Sequence, residues 1–425
     1  MTQGAALATE LAQAARVVAH VAGGKSLADE FERLGAEITR GSRAALIDLT
    51  HATLRRYGRV HAIVEALSRR GPPDALVQAL LWCALYALES GRYGEHTVVD
   101  QAVKACVLLE RWTAKGYVNA LLRGFLRERA AIAERLDGDL VPRHQHPAWW
   151  IELVRAAYPE PWAAVLDAGN GHPPMCLRVN RRRADVVAYQ TELAGEGIST
   201  RRCGAEALLL ERPLPVERLP GFAAGRVSVQ DLGAQRAAHL LGLEAGQRVL
   251  DACAAPGGKS AHILELADAA LTALDIDPRR AARLAPHLER LGLRAEMRIG
   301  DACSPQQWWD GRAYDRILAD VPCSASGVVR RHPDVKWLRR PSDIARFAER
   351  QRALLAALWR LLAPGGKLLY ATCSVFPQEN EELVAAFVAS EPLARRVALP
   401  DGSSAQWLPD AQHDGFFYAL IEKKV

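Results

Sequence analysis

Apolar residues recur at helical spacing from Ala5 to about Glu134. Leu11, Ala15, Val18 and Ala22 keep that spacing up to Gly23-Gly24, and the stretches Ala44 to Leu49 and Ala75 to Leu88 resume it. Gly71-Pro72-Pro73-Asp74 reads as a turn ending in an N-cap. Short polar turns between amphipathic helices, with no repeat at a fixed period, predict a helical bundle rather than a solenoid. Between Asp137 and Pro147 the chain turns polar around Gly138, Pro142 and Pro147, the expected linker. The period then changes. Cys176 to Asn180 alternates as a strand, Ala184 to Ala194 reads as a helix, and Ala207 to Leu210 as a second strand, which predicts a small α+β unit. From about Gln230, strands and helices alternate as βαβ units. Strands are expected at 248–251, 271–275, 295–299, 316–320, 367–371 and 415–422, giving a doubly wound parallel sheet with helices on both faces. The expected domains are 1–140 (all-α), 141–229 (α+β) and 230–425 (α/β, Rossmann-like).

Composition agrees with this multidomain reading. A chain of 425 residues suggests about two to three domains. A hydrophobic fraction of 49% with 24% charged residues is that of a globular protein. The net charge of +5 is compatible with a nucleic-acid partner without requiring one. Arg55, Arg56, Arg59, Arg69 and Arg70 could touch RNA from the helical domain, although a solvated helix face accounts for them equally well. Arg178, Arg181, Arg182 and Arg183 make the small unit locally basic. No basic leader precedes Ala6 and no apolar run reaches the roughly 18 residues of a membrane span, so a cytoplasmic protein is expected. The eight cysteines form no Cys-x-x-Cys pair, which argues against a disulfide framework and against a metal site.

The chemistry concentrates in Arg-Val-Leu-Asp-Ala-Cys-Ala-Ala-Pro-Gly-Gly-Lys-Ser, residues 248–260. A buried strand there breaks into a glycine-bearing loop and then a helix, the ligand corner of an open α/β sheet. A Walker loop would need glycine where Cys253 stands, and no Gly-x-Gly-x-x-Gly fingerprint is present. A methyl-donor site remains, with Asp251 at the strand end and Asp275 closing the next strand, about 18 residues past Gly257, where an acid reaches ribose hydroxyls in related folds.

Two later strands each deliver a cysteine just beyond the carboxyl end, in Asp320-Val-Pro-Cys323-Ser and in Thr372-Cys373-Ser. If the strands are neighbours, roughly 4.8 Å apart, both thiols face one cleft beside the loop. A thiol suits methylation at carbon 5 of a pyrimidine. That carbon is a poor nucleophile until a thiolate adds at carbon 6 and makes it an enamine carbon. Asp320 is placed to bind the exocyclic amine and ring nitrogen of cytosine. A second cysteine can assist when the thiol is expelled.

With Gly327-Val-Val-Arg-Arg-His-Pro-Asp-Val-Lys-Trp-Leu-Arg339, these motifs resemble the RNA cytosine-C5 methyltransferases of the NOL/NOP/Sun group. His96 to Val103 and Gly116 to Arg123 resemble the NusB-like RNA-binding domain. The resemblance implies Cys373 as nucleophile and Cys323 as the residue that releases product, an assignment that spacing cannot make. It implies S-adenosylmethionine contacts from Cys253, Ala254, Ala255, Pro256, Gly257, Gly258, Lys259, Asp275, Asp301 and Asp320, and an RNA-recognition-like fold for the middle unit. It further implies a cytosine of small-subunit (16S) rRNA, free or partly assembled, as the target; a monomer without metal or membrane is expected. Arg330, Arg331, Lys336, Arg339 and Arg340 are expected to form a basic loop that grips RNA phosphates. Gly233 stands where many members carry serine. A DNA cytosine methyltransferase and a non-catalytic RNA-binding assembly factor remain the alternatives at this stage.

Overall fold

The structure, a computed structural model, describes residues 3–35, 40–68 and 71–425; Arg69 and Arg70 lie outside the described residues. The chain forms two compact units. One comprises Met1–His172 with Val329–Pro341, the other Pro173–Val328 with Ser342–Val425. Among the described residues no helix is long and apolar enough to cross a membrane.

The first unit is helical and packs around the helix Ala75–Ser90, which is buried from Ala79 to Leu88 on every side, as a central helix must be. Asp74 starts this helix by accepting hydrogen bonds from the amides of Leu76 and Val77, and Gly91, left-handed at φ 66°, ends it. Helices Gln3–Ala22, Arg40–Arg55, Tyr57–Leu67 and Glu95–Leu108 surround it. The stretch 137–147, expected as a linker, is itself partly helical. Asp139 caps a further helix, Leu140–His144, and Ala148–Ala157 and Trp162–Ala168 continue the helical unit. Its polar and proline residues mark helix ends.

The second unit holds two sheets. The smaller contains β1 (Cys176–Val179), β2 (Thr200–Arg202), β3 (Ala207–Leu210) and β4 (Val227–Val229), antiparallel in the order β2-β3-β1-β4. Leu177, Val179, Leu208, Leu210 and Val227 pack against Tyr189 and Leu193 of the helix Val186–Gly195. Strands β2 and β4 were not legible in the sequence, being three residues each and, in β2, two of them exposed arginines.

The larger sheet contains β5 (Arg248–Ala252), β6 (Ala270–Asp275), β7 (Glu296–Ile299), β8 (Tyr314–Asp320), β9 (Leu362–Thr372), β10 (Ala394–Val397), β11 (Gln406–Trp407) and β12 (Phe416–Lys423). Its order is β10-β12-β9-β8-β5-β6-β7, with β11 beside β12. Strands β5 to β9 are parallel to one another, whereas β12 runs antiparallel to β9. The sheet is therefore mixed rather than wholly parallel. The central strands are apolar on both faces. Leu250, Ile317, Leu368 and Tyr370 face the layer of Leu354, Leu358 and Phe387, while Val249, Leu318 and Leu369 face Ala237, Ile263 and Leu288. The chain passes from β5 to β6 and β7 on one side, then returns to β8 and β9 on the other. The strand order thus reverses between β5 and β8, and in open α/β sheets the carboxyl ends at such a switch point are where ligands bind.

Candidate active site

At that switch point β5 ends in the loop 253–257. Cys253 turns the chain in a left-handed conformation, φ 65°, and Gly257 opens the next helix, Gly258–Leu266, at φ 101°. That positive φ is what calls for glycine there. Three acids surround this loop. Asp275, buried at the end of β6, accepts the Ala255 amide at 3.0 Å and the Asp277 amide at 3.0 Å. Asp320, at the end of β8, pairs with the Lys259 ammonium at 2.6 Å, with its side chain 29% exposed. Asp251 is buried in β5, accepts a hydrogen bond from Ser260 at 2.5 Å through Oδ2, and its Oδ1 has no partner. Asp301 follows β7 and accepts the Cys303 amide at 3.0 Å, while its carbonyl accepts from the Trp308 indole.

Burial pushes the Asp251 carboxyl up to about 7; the Ser260 hydrogen bond opposes this, Asp320 adds to it, Lys259 opposes it and Asp275 adds to it. A proton bound more tightly by the native than by the unfolded chain stabilises the fold fully below about pH 4, and that stabilisation is lost as the pH rises to about 7. Asp251→Asn should therefore flatten the fall in stability across this window. Denaturant midpoints of the two proteins at several pH values will show it, and parallel curves would refute it. Cys253 is pushed up to about 12 by burial and by the charges of Asp320, Asp275 and Asp251, so its thiol is not a nucleophile at neutral pH.

The two other thiols meet. Strands β8 and β9 are adjacent, Asp320 opposite Ala371, and the Sγ atoms of Cys323 and Cys373 lie 3.4 Å apart. Cys373 is partly exposed and is close enough to Lys259 to interact with its charge. Cys323 is buried; its hydrogen bond to Cys373 and its burial both push its thiol well above the ordinary value. Cys323 thus keeps its proton, and either sulfur can serve as the donor in the contact between them.

What holds the thiols there is a residue that sequence reasoning missed. The fully buried Glu379 accepts the Ser324 amide at 2.8 Å and Gln351 Nε2 at 3.0 Å through Oε1, and the Ser374 hydroxyl at 2.6 Å through Oε2. One carboxylate therefore pins the residue after each cysteine. Ser324, Ser326 and Ser374 also bond to one another, and Gly327 donates to the Cys373 carbonyl at 2.8 Å. Gly327 is close against Gly415, where a Cβ would meet a carbonyl oxygen at 2.4 Å. Glu379→Ala strands these donors without an acceptor. It should cost about 3 kcal/mol or more and reduce methyl transfer far more than donor binding. Activity and donor affinity unchanged from the parent protein would show that the network does not position the thiols. No motif marks Glu379, because its role exists only once the two cysteine loops are adjacent.

The expected phosphate-gripping loop requires correction. Within the first unit, Lys336 is fully buried, its ammonium donating to the Arg55 carbonyl at 3.0 Å and to Asn170 Oδ1 at 2.8 Å, and burial and Arg55 hold it well below its ordinary value. Arg330 is 3% exposed, and its carbonyl accepts from Arg55. Trp337 donates to the Leu54 carbonyl and lies against Tyr57, close over Gly58. Burial removes Lys336 and Arg330 from any solvent-facing grip, and Arg55 is committed to the same contact. Arg59 pairs with Glu89, whereas Arg56, Arg340 and, in part, Arg331 and Arg339 reach solvent. Arg178 too is a structural residue rather than a basic surface group. It is fully buried, with Nε and Nη2 each 2.8 Å from the Glu265 carboxylate and Nη1 2.7 Å from the Gly258 carbonyl. Gly233 fits its position because the Phe416 ring occupies the space a Cβ would take, at 2.4 Å.

A mixed sheet, parallel from β5 to β9, with a glycine loop at its switch point, acids closing the neighbouring strands and a smaller sheet ahead of it is the architecture of a Rossmann-like methyltransferase. The 16S rRNA methyltransferase RsmB/F family matches residues 238–422, the RsmF/B-like ferredoxin-like domain matches residues 146–217, and the NusB family matches residues 11–127. Ribosomal RNA small subunit methyltransferase B of Vibrio cholerae serotype O1 is 42% identical over 410 residues, covering 94% of each chain. The protein of the same name from Sodalis glossinidius is 43% identical over 423 residues, covering 97% of each. A methyltransferase homolog protein from Pyrococcus horikoshii, known by crystal structure, has a TM-score of 0.59 at 25% identity, covering 67% of this chain and 97% of that one. The chain belongs to the RsmB/F methyltransferase family, with a NusB domain and a ferredoxin-like domain ahead of the catalytic one.

Proposed function

We propose that this protein transfers a methyl group from S-adenosylmethionine to carbon 5 of a cytosine in small-subunit rRNA. The observation that carries this reading is the pair of thiols, 3.4 Å apart, at the ends of adjacent strands beside the loop. The donor fits the residues present. The carboxylates of Asp251, Asp275 and Asp320 flank the loop, Oδ1 of Asp251 is buried without a partner, and a cationic ligand with hydroxyls answers both features. Cys253 to Lys259 would line the donor, Asp275 would take the ribose hydroxyls, Asp301 the adenine side and Asp320 the methionine end. When bound, the donor supplies an electrophilic methyl group.

The protein's own residues prepare the acceptor. The Cys373 thiolate bonds to carbon 6, and the electron pair displaced from the ring double bond makes carbon 5 nucleophilic toward the methyl group. Asp320 would hold the exocyclic amine and ring nitrogen. After transfer the proton on carbon 5 passes to solvent water, its bonding pair re-forms the double bond, and the carbon–sulfur bond breaks to return the thiolate. Cys323, protonated and donating to that sulfur, assists the departure. The base must leave its stack to reach Cys373, so a loop or partly unfolded rRNA, free or partly assembled, is the favoured substrate. Arg331 and Arg339 remain candidates for phosphate contacts.

Bisulfite sequencing of small-subunit rRNA from cells with and without the gene tests the assignment. Loss of protection at one cytosine is the expected result, and an unchanged protection pattern rejects it.

A further inference from the structure

Away from the cysteines, the second unit contains a cluster of a different chemistry. Glu206 immediately precedes β3 in the small sheet. His239 lies on the helix Leu232–Leu240, and His262 lies on the helix Gly258–Leu266 that follows the loop. A single carboxylate oxygen, Oε1 of Glu206, stands 2.5 Å from Nε2 of His239 and 2.6 Å from Nε2 of His262. The three ligand-capable atoms all lie within 4.8 Å of one another. Glu206 and His262 are 2% and 1% exposed, and the second carboxylate oxygen, Oε2, is buried with no partner, as is Nδ1 of His262.

As a hydrogen-bond arrangement this is poor. Two imidazoles crowd one oxygen while the other oxygen, equally buried, receives nothing, and buried polar atoms are rarely left so. As a ligand set it is ordinary. Two imidazole nitrogens and a carboxylate oxygen, with a fourth position for water, make up an open tetrahedral site for a zinc-like ion. Ligand atoms around such an ion stand roughly 3.3 Å apart, so the carboxylate must draw back by less than about 1 Å. The His239 side chain is 42% exposed, which gives an ion a route from solvent and leaves room for water in the fourth position.

We propose that Glu206, His239 and His262 bind a divalent transition-metal ion of the zinc class, fastening the small sheet to the helix that carries the donor loop. The expectation of no metal rested on cysteine spacing, and these three residues are too far apart in sequence for any spacing rule to join them. The role is structural and independent of the methyl-transfer reading, because no cysteine of the proposed reaction takes part.

The test uses the untagged, metal-stripped full chain titrated with cobalt(II) alone, without RNA or donor. Saturable binding at one ion per chain is expected, with visible d–d absorption of a tetrahedral site. His239→Ala alters a half-exposed residue and should lower the metal-free unfolding temperature only slightly, because His262 still bonds to Glu206. It should nevertheless weaken cobalt binding more than about tenfold and abolish the rise in unfolding temperature that zinc produces in the parent protein. Glu206→Gln should weaken binding likewise. Absence of saturable binding, equal affinity in the His239→Ala protein, or a thiolate-to-cobalt charge-transfer band placing the ion on cysteine would each overturn the proposal.

Discussion

Cys373→Ala should reduce methyl transfer by several orders of magnitude, and Cys323→Ala should accumulate an RNA–protein adduct that survives denaturing electrophoresis. The asymmetry follows from where the two sulfurs sit. Cys373 is partly exposed, whereas Cys323 is buried and held protonated by its neighbour and by burial. An unperturbed thiol is only about 3% ionised at pH 7, so a thiolate here needs stabilisation. The Cys323 thiol, 3.4 Å away, and the Lys259 ammonium are the neighbours placed to provide it. On the proposed mechanism, no bond to carbon 6 forms without Cys373 and carbon 5 stays inert. Without Cys323 the bond still forms, but the departing sulfur loses its hydrogen-bond donor and the adduct persists. Wild-type rates in the Cys373→Ala protein, or trapping by that variant instead of by Cys323→Ala, would reverse the roles.

The second large effect is on stability. Arg178→Ala should cost about 3–5 kcal/mol, because it leaves the Glu265 carboxylate, 1% exposed on its side chain, as a buried charge without its partner. The loss reaches the donor loop as well. Arg178 also holds the Gly258 carbonyl, so the first turn of the loop helix loses a partner and donor affinity should fall. The paired replacement Arg178→Met with Glu265→Leu removes both charges together and should recover most of the stability, since a buried ion pair contributes little over a packed apolar pair. It should not recover donor affinity. Thermal unfolding and calorimetric donor titration of the three proteins separate these outcomes. A loss below about 1 kcal/mol in Arg178→Ala would show that water reaches Glu265.

The parts of this protein legible in the sequence are those that depend on neighbours along the chain. Helical period through the first unit, apolar runs at 249–250 and 317–319, and the loop 253–259 all reflect local backbone geometry. The βαβ alternation then confines the cysteines following β8 and β9 to one end of one sheet. Glu379, Arg178 and the Glu206–His239–His262 cluster were invisible because their partners come from remote segments and their roles exist only in the packed chain. The basic stretch 330–340 was misread for a related reason. A lysine in a sequence carries the same formal charge whether it meets phosphate or, as Lys336 does, a backbone carbonyl in the interior. Local pattern determined the elements, their order and the chemistry at the strand ends. Tertiary packing alone decided which charges were buried, which carboxylate braces the thiols and which histidines meet, because those outcomes turn on desolvation and pairing between groups that the sequence keeps apart.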